Sequence, residues 1–175
     1  MSGCGGARCL RRRDRQAVGT VVERLVRVLG AGLVALDPVP LDPVPRSGVF
    51  GSQRILNGEA KQPHYGVDVA VPTGTRVYAP ASGVVSLAHP DMYYTGGTLM
   101  VDHGHGLSSA FLHLSKLRVK EGQAVRQGDL IAEAGATGRA TGAHLDWRVN
   151  WFDARVDAQM LVPPMESVRA HGARK

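Results

Sequence analysis

Five residues in three short segments have side chains that can bind a metal ion and transfer protons beside it. The segments read Pro-His-Tyr-Gly-Val-Asp, Phe-Leu-His-Leu-Ser and Gly-Ala-His-Leu-Asp-Trp, and the residues are His64, Asp68, His113, His144 and Asp146. Histidine and aspartate are both zinc ligands, and a catalytic zinc site takes three protein ligands and keeps one open position. Imidazole side chains also exchange protons near neutral pH. This set of residue types therefore indicates a metal centre with proton-transfer groups next to it.

Short β-strands are the elements that must position these residues. From Ser47 onward, short runs rich in β-branched residues alternate with glycine-containing turns. The predicted strands are Val67–Val71, Arg76–Ala79, Gly83–His89, Thr98–His103, Leu107–Leu114, Ala124–Val125, Leu130–Ala134 and Ala143–Asn150. Thr98–His103 and Leu107–Leu114 are expected to form a hairpin. Strands at this spacing, without a long amphipathic helix between them, predict an all-β sandwich or barrel.

Strand geometry predicts which side chains share a face of the sheet. Successive residues of a strand point to opposite faces, so His144 and Asp146 should lie together while Leu145 enters the core. The same alternation places His113 on the face of Phe111, opposite Leu112. A sheet face that carries polar residues over an apolar core is a rigid platform for a site.

The three segments also carry a family resemblance. In this order, His64-x-x-x-Asp68, the segment around His113 and Gly-Ala-His-Leu-x-Trp resemble the motifs of the lysostaphin/LytM-type zinc endopeptidases, which cut peptide bonds in bacterial peptidoglycan. The similarity runs from about Ser47 to Leu161. The resemblance implies a LytM-like barrel-sandwich hybrid of short antiparallel strands and one Zn²⁺ per chain. It also implies His64 and Asp68 as metal ligands and His113 and His144 as catalytic residues.

Asp146 departs from the family pattern, in which this position is the third ligand and is a histidine. A carboxylate is an acceptable zinc ligand and extends about as far as the nearer ring nitrogen of histidine. A set of His64, Asp68 and Asp146 would make a Zn²⁺ site formally neutral, which predicts a less acidic attacking water or a preference for a harder ion such as Mn²⁺. The alternative is that Asp146 forms an ion pair with Arg148 and that the metal is lost.

Two functions from different classes follow from this resemblance. The first is a metal-dependent endopeptidase that hydrolyses peptide bonds in peptidoglycan, with His113 and His144 moving the proton and stabilising the oxyanion. The second is a degenerate, non-catalytic LytM-like module that binds cell wall or regulates other wall hydrolases. Both functions predict a periplasmic or extracellular location, inferred from the substrate class.

Composition and charge limit the other classes. The chain has 175 residues, 43% of them hydrophobic and 21% charged, which is typical of a globular protein. The net charge of +6 has no basic stripe interleaved with aromatic residues, so nucleic acid is not an expected partner. Cys4 and Cys9 both precede the predicted domain, so a disulfide framework inside the domain is excluded.

Proline residues mark the expected domain boundary. The repeated Leu-Asp-Pro-Val-Pro over residues 36–45 is expected to be a stiff, extended linker. It divides an N-terminal extension, residues 1–45, from a LytM-like domain, residues 46–163, and residues 164–175 form a tail. Within the extension, Gln16–Leu33 is predicted to be an amphipathic helix, with a degenerate export signal or disorder as alternatives. The apolar run Val28–Leu36 is too short to span a bilayer.

Some residues outside the three segments lie at turns or beside the expected cleft. His103 and His105 lie at the predicted hairpin turn and are expected to face solvent. Asn57 and Tyr65 are candidates to line a cleft. The pattern Gly-x-x-Gly at residues 135–138 lacks the Lys-Ser/Thr of a phosphate loop and is interpreted as a turn.

Overall fold

The fold is built from thirteen short β-strands. The computed structural model describes residues 46–161, and within this range the only helix is a single 3₁₀ turn, Ala158–Leu161. The strands are β1 Arg46–Gly48, β2 Ile55–Leu56, β3 Glu59–Ala60, β4 Val67–Val69, β5 Arg76–Tyr78, β6 Gly83–Met92, β7 Gly96–Gly104, β8 Leu107–Leu114, β9 Lys116–Leu117, β10 Ala124–Val125, β11 Leu130–Glu133, β12 Leu145–Trp151 and β13 Ala154–Val156.

All strand pairs of the described residues are antiparallel. The largest sheet has eight strands in the order β1-β4-β12-β8-β7-β6-β10, with β13 added beside β12. A second sheet has the order β5-β11-β9, and β2 and β3 form a small separate hairpin. The all-β prediction is confirmed, and the hairpin expected across residues 103–106 is the β7–β8 connection.

One apolar core joins the two larger sheets. Val77 and Ile131 of the three-stranded sheet belong to the same buried cluster as Leu99, Phe111 and Trp147 of the eight-stranded sheet. Burying side chains of this size stabilises the fold by about 1.5–3 kcal/mol each. The core therefore fixes β4, β8 and β12 against one another, and these are the strands that carry or border the three motifs.

The strand boundaries differ slightly from those predicted. The last long strand begins at Leu145 instead of Ala143, because His144 makes only an isolated bridge to Gly135. The short strands β1, β2, β3, β9 and β13 had no periodic signal, since two or three residues cannot display an alternation.

The expectation that His103 faces solvent is met only in part, because the residue is half-buried. Its two ring nitrogens lie 3.0 Å from the Ser82 carbonyl oxygen and 2.9 Å from the Ser109 hydroxyl. Burial lowers the pKa of His103 below its usual range, although the Ser82 carbonyl and nearby Asp102 act in the opposite direction. His103 therefore ties the β7–β8 hairpin to the turn before β6, whereas His105 is exposed as expected.

Three predictions lie outside the described residues. These are the Gln16–Leu33 helix, the proline-rich linker and the tail beyond residue 163. Within residues 46–161, no helix has the length and apolar character that crossing a bilayer requires.

Candidate metal and catalytic site

His64 lies in the loop that leads into β4, and backbone hydrogen bonds fix its position. The Gly51 amide donates to the His64 carbonyl at 2.7 Å, and the His64 amide donates to the Ser52 carbonyl at 2.9 Å. The next residue, Tyr65, packs its ring against Phe50 with the centroids 5.8 Å apart. His64 is consequently held in place, with only 2% of the residue's surface exposed.

Asp68 and Asp146 face each other across neighbouring strands. They are directly paired in the antiparallel register of β4 and β12, and Leu145 enters the core as predicted. Glycine makes room for each carboxylate, because a Cβ at Gly48 would overlap Asp68 Oδ2 and a Cβ at Gly66 would overlap Asp146 Oδ1. Glycine is required at residue 66 because the Asp146 side chain occupies the space that a Cβ would fill.

The three candidate ligands converge on one point. Ligand atoms of His64, Asp68 and Asp146 all lie within 4.8 Å of one another. His64 Nε2 and Asp68 Oδ1 are 2.9 Å apart, yet neither buried atom has a hydrogen-bond partner of good geometry among the described residues. Buried polar atoms without partners are costly, unless a further group satisfies both of them. One histidine and two carboxylates directed at one point are a donor set that fits a zinc ion.

Two arginines border this cluster. Arg148 donates to both carboxylate oxygens of Asp146, with Nε 3.0 Å from Oδ1 and Nη2 2.6 Å from Oδ2. Arg54 Nη2 lies 2.6 Å from His64 Nδ1 and 4.0 Å from Asp68 Oδ2. Asp146 is thus both paired with Arg148 and gathered with the other two candidate ligands.

The neighbouring charged and polar groups favour the ionised forms of Asp68 and Arg148. Burial opposes ionisation of Asp68, but the His64 imidazole, His144 and Arg54 outweigh burial and lower the pKa of Asp68 below its usual value. Burial also opposes the charge of Arg148, but pairing with Asp146 dominates and raises the pKa of Arg148. Asp68 and Arg148 are therefore both charged at neutral pH.

A β-bulge in β8 directs His113. His113 has a φ of 62°, and the β7–β8 register shifts between Leu99–Phe111 and Gly97–Leu114. Phe111 and Leu114 both join the core cluster, and Leu112 does not. The expectation that His113 shares a face with Phe111 is therefore wrong, because the bulge adds one residue and reverses the alternation.

His113 and His144 form a pair of imidazoles with their centroids 4.8 Å apart. His113 Nδ1 lies 2.9 Å from the Thr137 carbonyl, and His144 Nδ1 lies 2.8 Å from the Gly142 carbonyl. A carbonyl oxygen can only accept a hydrogen bond, so both Nδ1 atoms carry a proton. Each Nε2 is then the nitrogen that accepts a proton in the neutral ring or donates one in the charged ring.

Two touching loops hold His113. The His113 amide donates to the Thr95 carbonyl at 2.8 Å in the β6–β7 connection, while the Thr137 carbonyl holds the ring from the β11–β12 connection. These loops are in contact, since a Cβ at Gly96 would overlap Thr137 and a Cβ at Gly138 would overlap Gly96. The turn at residues 135–138 is thus a support for a candidate catalytic residue and not a plain turn.

Sequence reasoning missed two residues at the site. Arg54 lies ten positions before His64, and no motif or periodicity marks it. Thr137 acts through its backbone carbonyl, which every residue type has, so its identity could not reveal the contact. Asn57, which was a candidate to line a cleft, is exposed in the β2–β3 turn.

An antiparallel all-β domain that places these three motifs side by side defines the class of the lysostaphin/LytM-type peptidase domains. The model of Peptidase family M23 matches residues 62–158, and the chain belongs to this family.

Relatives and solved structures agree with this assignment. The chain is 38% identical to the peptidoglycan DD-endopeptidase ShyA of Vibrio cholerae over 122 residues, which cover 65% of this chain and 28% of ShyA. It resembles a zinc-containing peptidase from Vibrio cholerae with 36% identity and a TM-score of 0.62, over 71% of this chain and 39% of that one. The lysostaphin catalytic domain from Staphylococcus simulans has 29% identity and a TM-score of 0.60, over 68% of this chain and 92% of that one. The chain therefore spans under a third of ShyA but matches most of an isolated catalytic domain.

Proposed function

We propose that this protein is a metal-dependent endopeptidase that hydrolyses peptide bonds in bacterial peptidoglycan. The observation that carries this proposal is the convergence of three candidate ligands. His64 Nε2 and Asp68 Oδ1 are buried 2.9 Å apart without a hydrogen bond of good geometry, a ligand atom of Asp146 lies within 4.8 Å of both residues' ligand atoms, and two imidazoles lie nearby. Membership in Peptidase family M23 and the similarity to ShyA support the reaction class and the substrate. Such a substrate places the protein in the periplasm or outside the cell.

In this proposal, His64, Asp68 and Asp146 hold one Zn²⁺, and Mn²⁺ is the alternative ion because two of the three ligands are carboxylates. When bound, the metal supplies Lewis acidity, which polarises the scissile carbonyl and makes the attacking water a stronger nucleophile. Loss of the metal should therefore abolish activity without unfolding the β-sandwich, whose core does not depend on the site.

The two imidazoles divide the proton chemistry between them. In this proposal one ring acts as the general base and the other as the donor to the oxyanion, with their centroids 4.8 Å apart. The first ring accepts the proton of the attacking water at Nε2, and the second ring, in its protonated form, donates a hydrogen bond from Nε2 to the oxyanion of the tetrahedral intermediate and keeps its proton. When the C–N bond breaks, the accepted proton passes to the leaving amine. The carbonyls of Thr137 and Gly142 keep both rings in the orientation this exchange needs.

The direct test uses purified peptidoglycan sacculi and the full chain. Zinc-loaded protein should release soluble muropeptides with newly formed peptide ends, identified by mass spectrometry. A chelator should stop the release, and zinc added in excess of the chelator should restore it. Zinc-loaded, folded protein that releases nothing from sacculi would contradict the proposal.

A non-catalytic module is the second candidate, and the ion pair between Asp146 and Arg148 is the observation that favours it. A protein of this kind would bind cell wall or regulate other wall hydrolases. It would sediment with sacculi while leaving them intact, and it would contain no stoichiometric metal. Metal content together with muropeptide release therefore separates the two candidates.

Arg54 is expected to oppose metal binding. Arginine has no acceptor atom, so His64 Nδ1 accepts the hydrogen bond from Arg54 and the neutral ring carries its proton on Nε2, the nitrogen that must be free to ligate. Arg54→Met should raise zinc affinity about tenfold, the value of one charge-assisted hydrogen bond at a half-exposed site. Competition with a chromogenic chelator measures this change.

Lys61→Met is the matched control for Arg54→Met. Lys61 is another cation of the same small hairpin region, where it pairs with Glu59 instead of a candidate ligand. Its replacement should leave zinc affinity unchanged. A drop in affinity in Arg54→Met would show that Arg54 supports the ligands instead of competing for His64.

A further inference from the structure

The ion pair between Asp146 and Arg148 is held in a defined geometry at the site. Both residues are on β12, two positions apart and therefore on the same face, and the guanidinium approaches both carboxylate oxygens. The Asp146 side chain is 2% exposed and that of Arg148 is 29% exposed. A Cβ at Gly66 would meet both Asp146 Oδ1 and Arg148 Cγ, so the pair fills the space that glycine leaves open.

The pair answers an electrostatic problem that the substitution of aspartate for histidine creates. Asp146 lies directly opposite Asp68 across the β4–β12 pairing, and like charges in this position destabilise a sheet. A buried carboxylate also requires a counter-charge. Arg148 supplies this charge on the side of Asp146 that lies over Gly66, and Asp146 still reaches the point it shares with His64 and Asp68.

We propose that Asp146 and Arg148 act as one electrically neutral ligand unit, which replaces the neutral histidine of the family pattern. The inference rests on the proposed metal site and adds Arg148 as a positioning residue that sets the charge of that site. With Arg148 counted, Asp146 adds no net charge, so the three ligands together carry the charge of Asp68, and Arg54 lies 4.0 Å from that carboxylate as a separate cation. His64, Asp68 and Asp146 by themselves would make a formally neutral zinc site. With Arg148 included, the zinc site keeps a positive charge, so a strong preference for Mn²⁺ is no longer expected.

A charge-matched series of variants tests this unit through metal affinity, which needs no turnover. Arg148→Met adds one uncompensated negative charge and should bind Zn²⁺ more tightly than the parent, by about tenfold or more. Asp146→His alone leaves Arg148 without a partner beside the metal and should bind Zn²⁺ more weakly by a similar factor. The double variant, Asp146→His with Arg148→Met, restores neutrality and should bind Zn²⁺ within a few-fold of the parent. Competition with a chromogenic chelator gives all four affinities.

Two additions keep the test decisive. Arg148→Gln keeps a donor for Asp146 and removes only the charge, so it replaces Arg148→Met if that variant does not fold. Arg118→Met removes the guanidinium of a surface pair with Glu133, which belongs to the three-stranded sheet and not to the sheet that carries Asp68 and Asp146, and it should leave zinc affinity unchanged.

Three results would overturn the inference. The first is weaker zinc binding in both Arg148→Met and Arg148→Gln than in the parent. The second is that Asp146→His and the double variant, Asp146→His with Arg148→Met, bind Zn²⁺ with equal affinity. The third is a parent and an Arg148→Met variant that both take up no metal. A series that follows the expected order in a protein that cuts no peptidoglycan would leave the inference standing and reject only the proposed reaction.

Discussion

Replacing His113 with alanine should lower peptidoglycan hydrolysis by about 10²–10⁴-fold, the usual contribution of a positioned general acid or base. Metal content should not change, because His113 is not one of the three residues whose ligand atoms converge. The Thr137 carbonyl fixes the His113 ring with Nε2 as the exchanging nitrogen, and alanine removes that nitrogen altogether. Muropeptide release and zinc content of the same preparation measure the two effects separately.

The backbone at His113 calls for a second variant. Alanine at a φ of 62° costs about 1–2 kcal/mol, so a loss of activity in His113→Ala must be separated from a loss of folded protein. Asparagine tolerates this conformation better than other non-glycine residues, so His113→Asn should fold and still be inactive. His89→Ala, which removes an exposed histidine of β6, should keep full activity. Cleavage at the parent rate by folded His113→Asn would reject the role of His113.

Replacing Asp146 with alanine should remove the metal. The parent is expected to retain about one zinc per chain after dialysis, and the variant close to none, because two ligands rarely hold zinc against dialysis. The variant also leaves the Arg148 cation beside the site without its carboxylate, which opposes a second positive charge there. Elemental analysis of zinc and manganese in both proteins measures the outcome.

Asp153→Ala is the control for Asp146→Ala, because Asp153 is an exposed carboxylate in the turn after β12. It should retain the same metal content as the parent. If Asp146→Ala also retains its zinc, Asp146 is not a ligand. If the parent itself contains no metal after exposure to both ions, the non-catalytic module becomes the better description of the protein.

Sequence alone predicts the longer strands that are bounded by glycine-containing turns. β7 and β8 were found within two residues of their ends, because each is a largely apolar run on one side of the turn at residues 103–106. Alternation also predicted that Leu145 enters the core beside Asp146. The strand β1 was missed because it pairs with the distant strand β4, whereas the β2–β3 hairpin was overlooked although its Asn57-Gly58 turn, with positive φ at both residues, is a local hairpin signal.

The errors at the site have one physical origin, which is that local patterns do not report distant partners. The bulge at His113 depends on β7, and it reverses the face that simple alternation assigns. Arg54 reaches His64 only because the chain folds back between them. The sequence allowed two roles for Asp146, as a metal ligand or as the ion-pair partner of Arg148 on the same strand. The spacing of the residues could not show that this ion pair lies over Gly66.

The contact between the two loops that hold His113 also has a meaning for protein engineering. Gly96 and Gly138 touch closely, and each loop supplies one carbonyl to His113 through Thr95 or Thr137. The tip of the β6–β7 hairpin carries the exposed Tyr93 and Tyr94, which makes it an attractive place to graft new specificity. A graft of that tip alone would misalign the imidazole. The β6–β7 and β11–β12 loops should therefore be replaced or randomised together, as one unit.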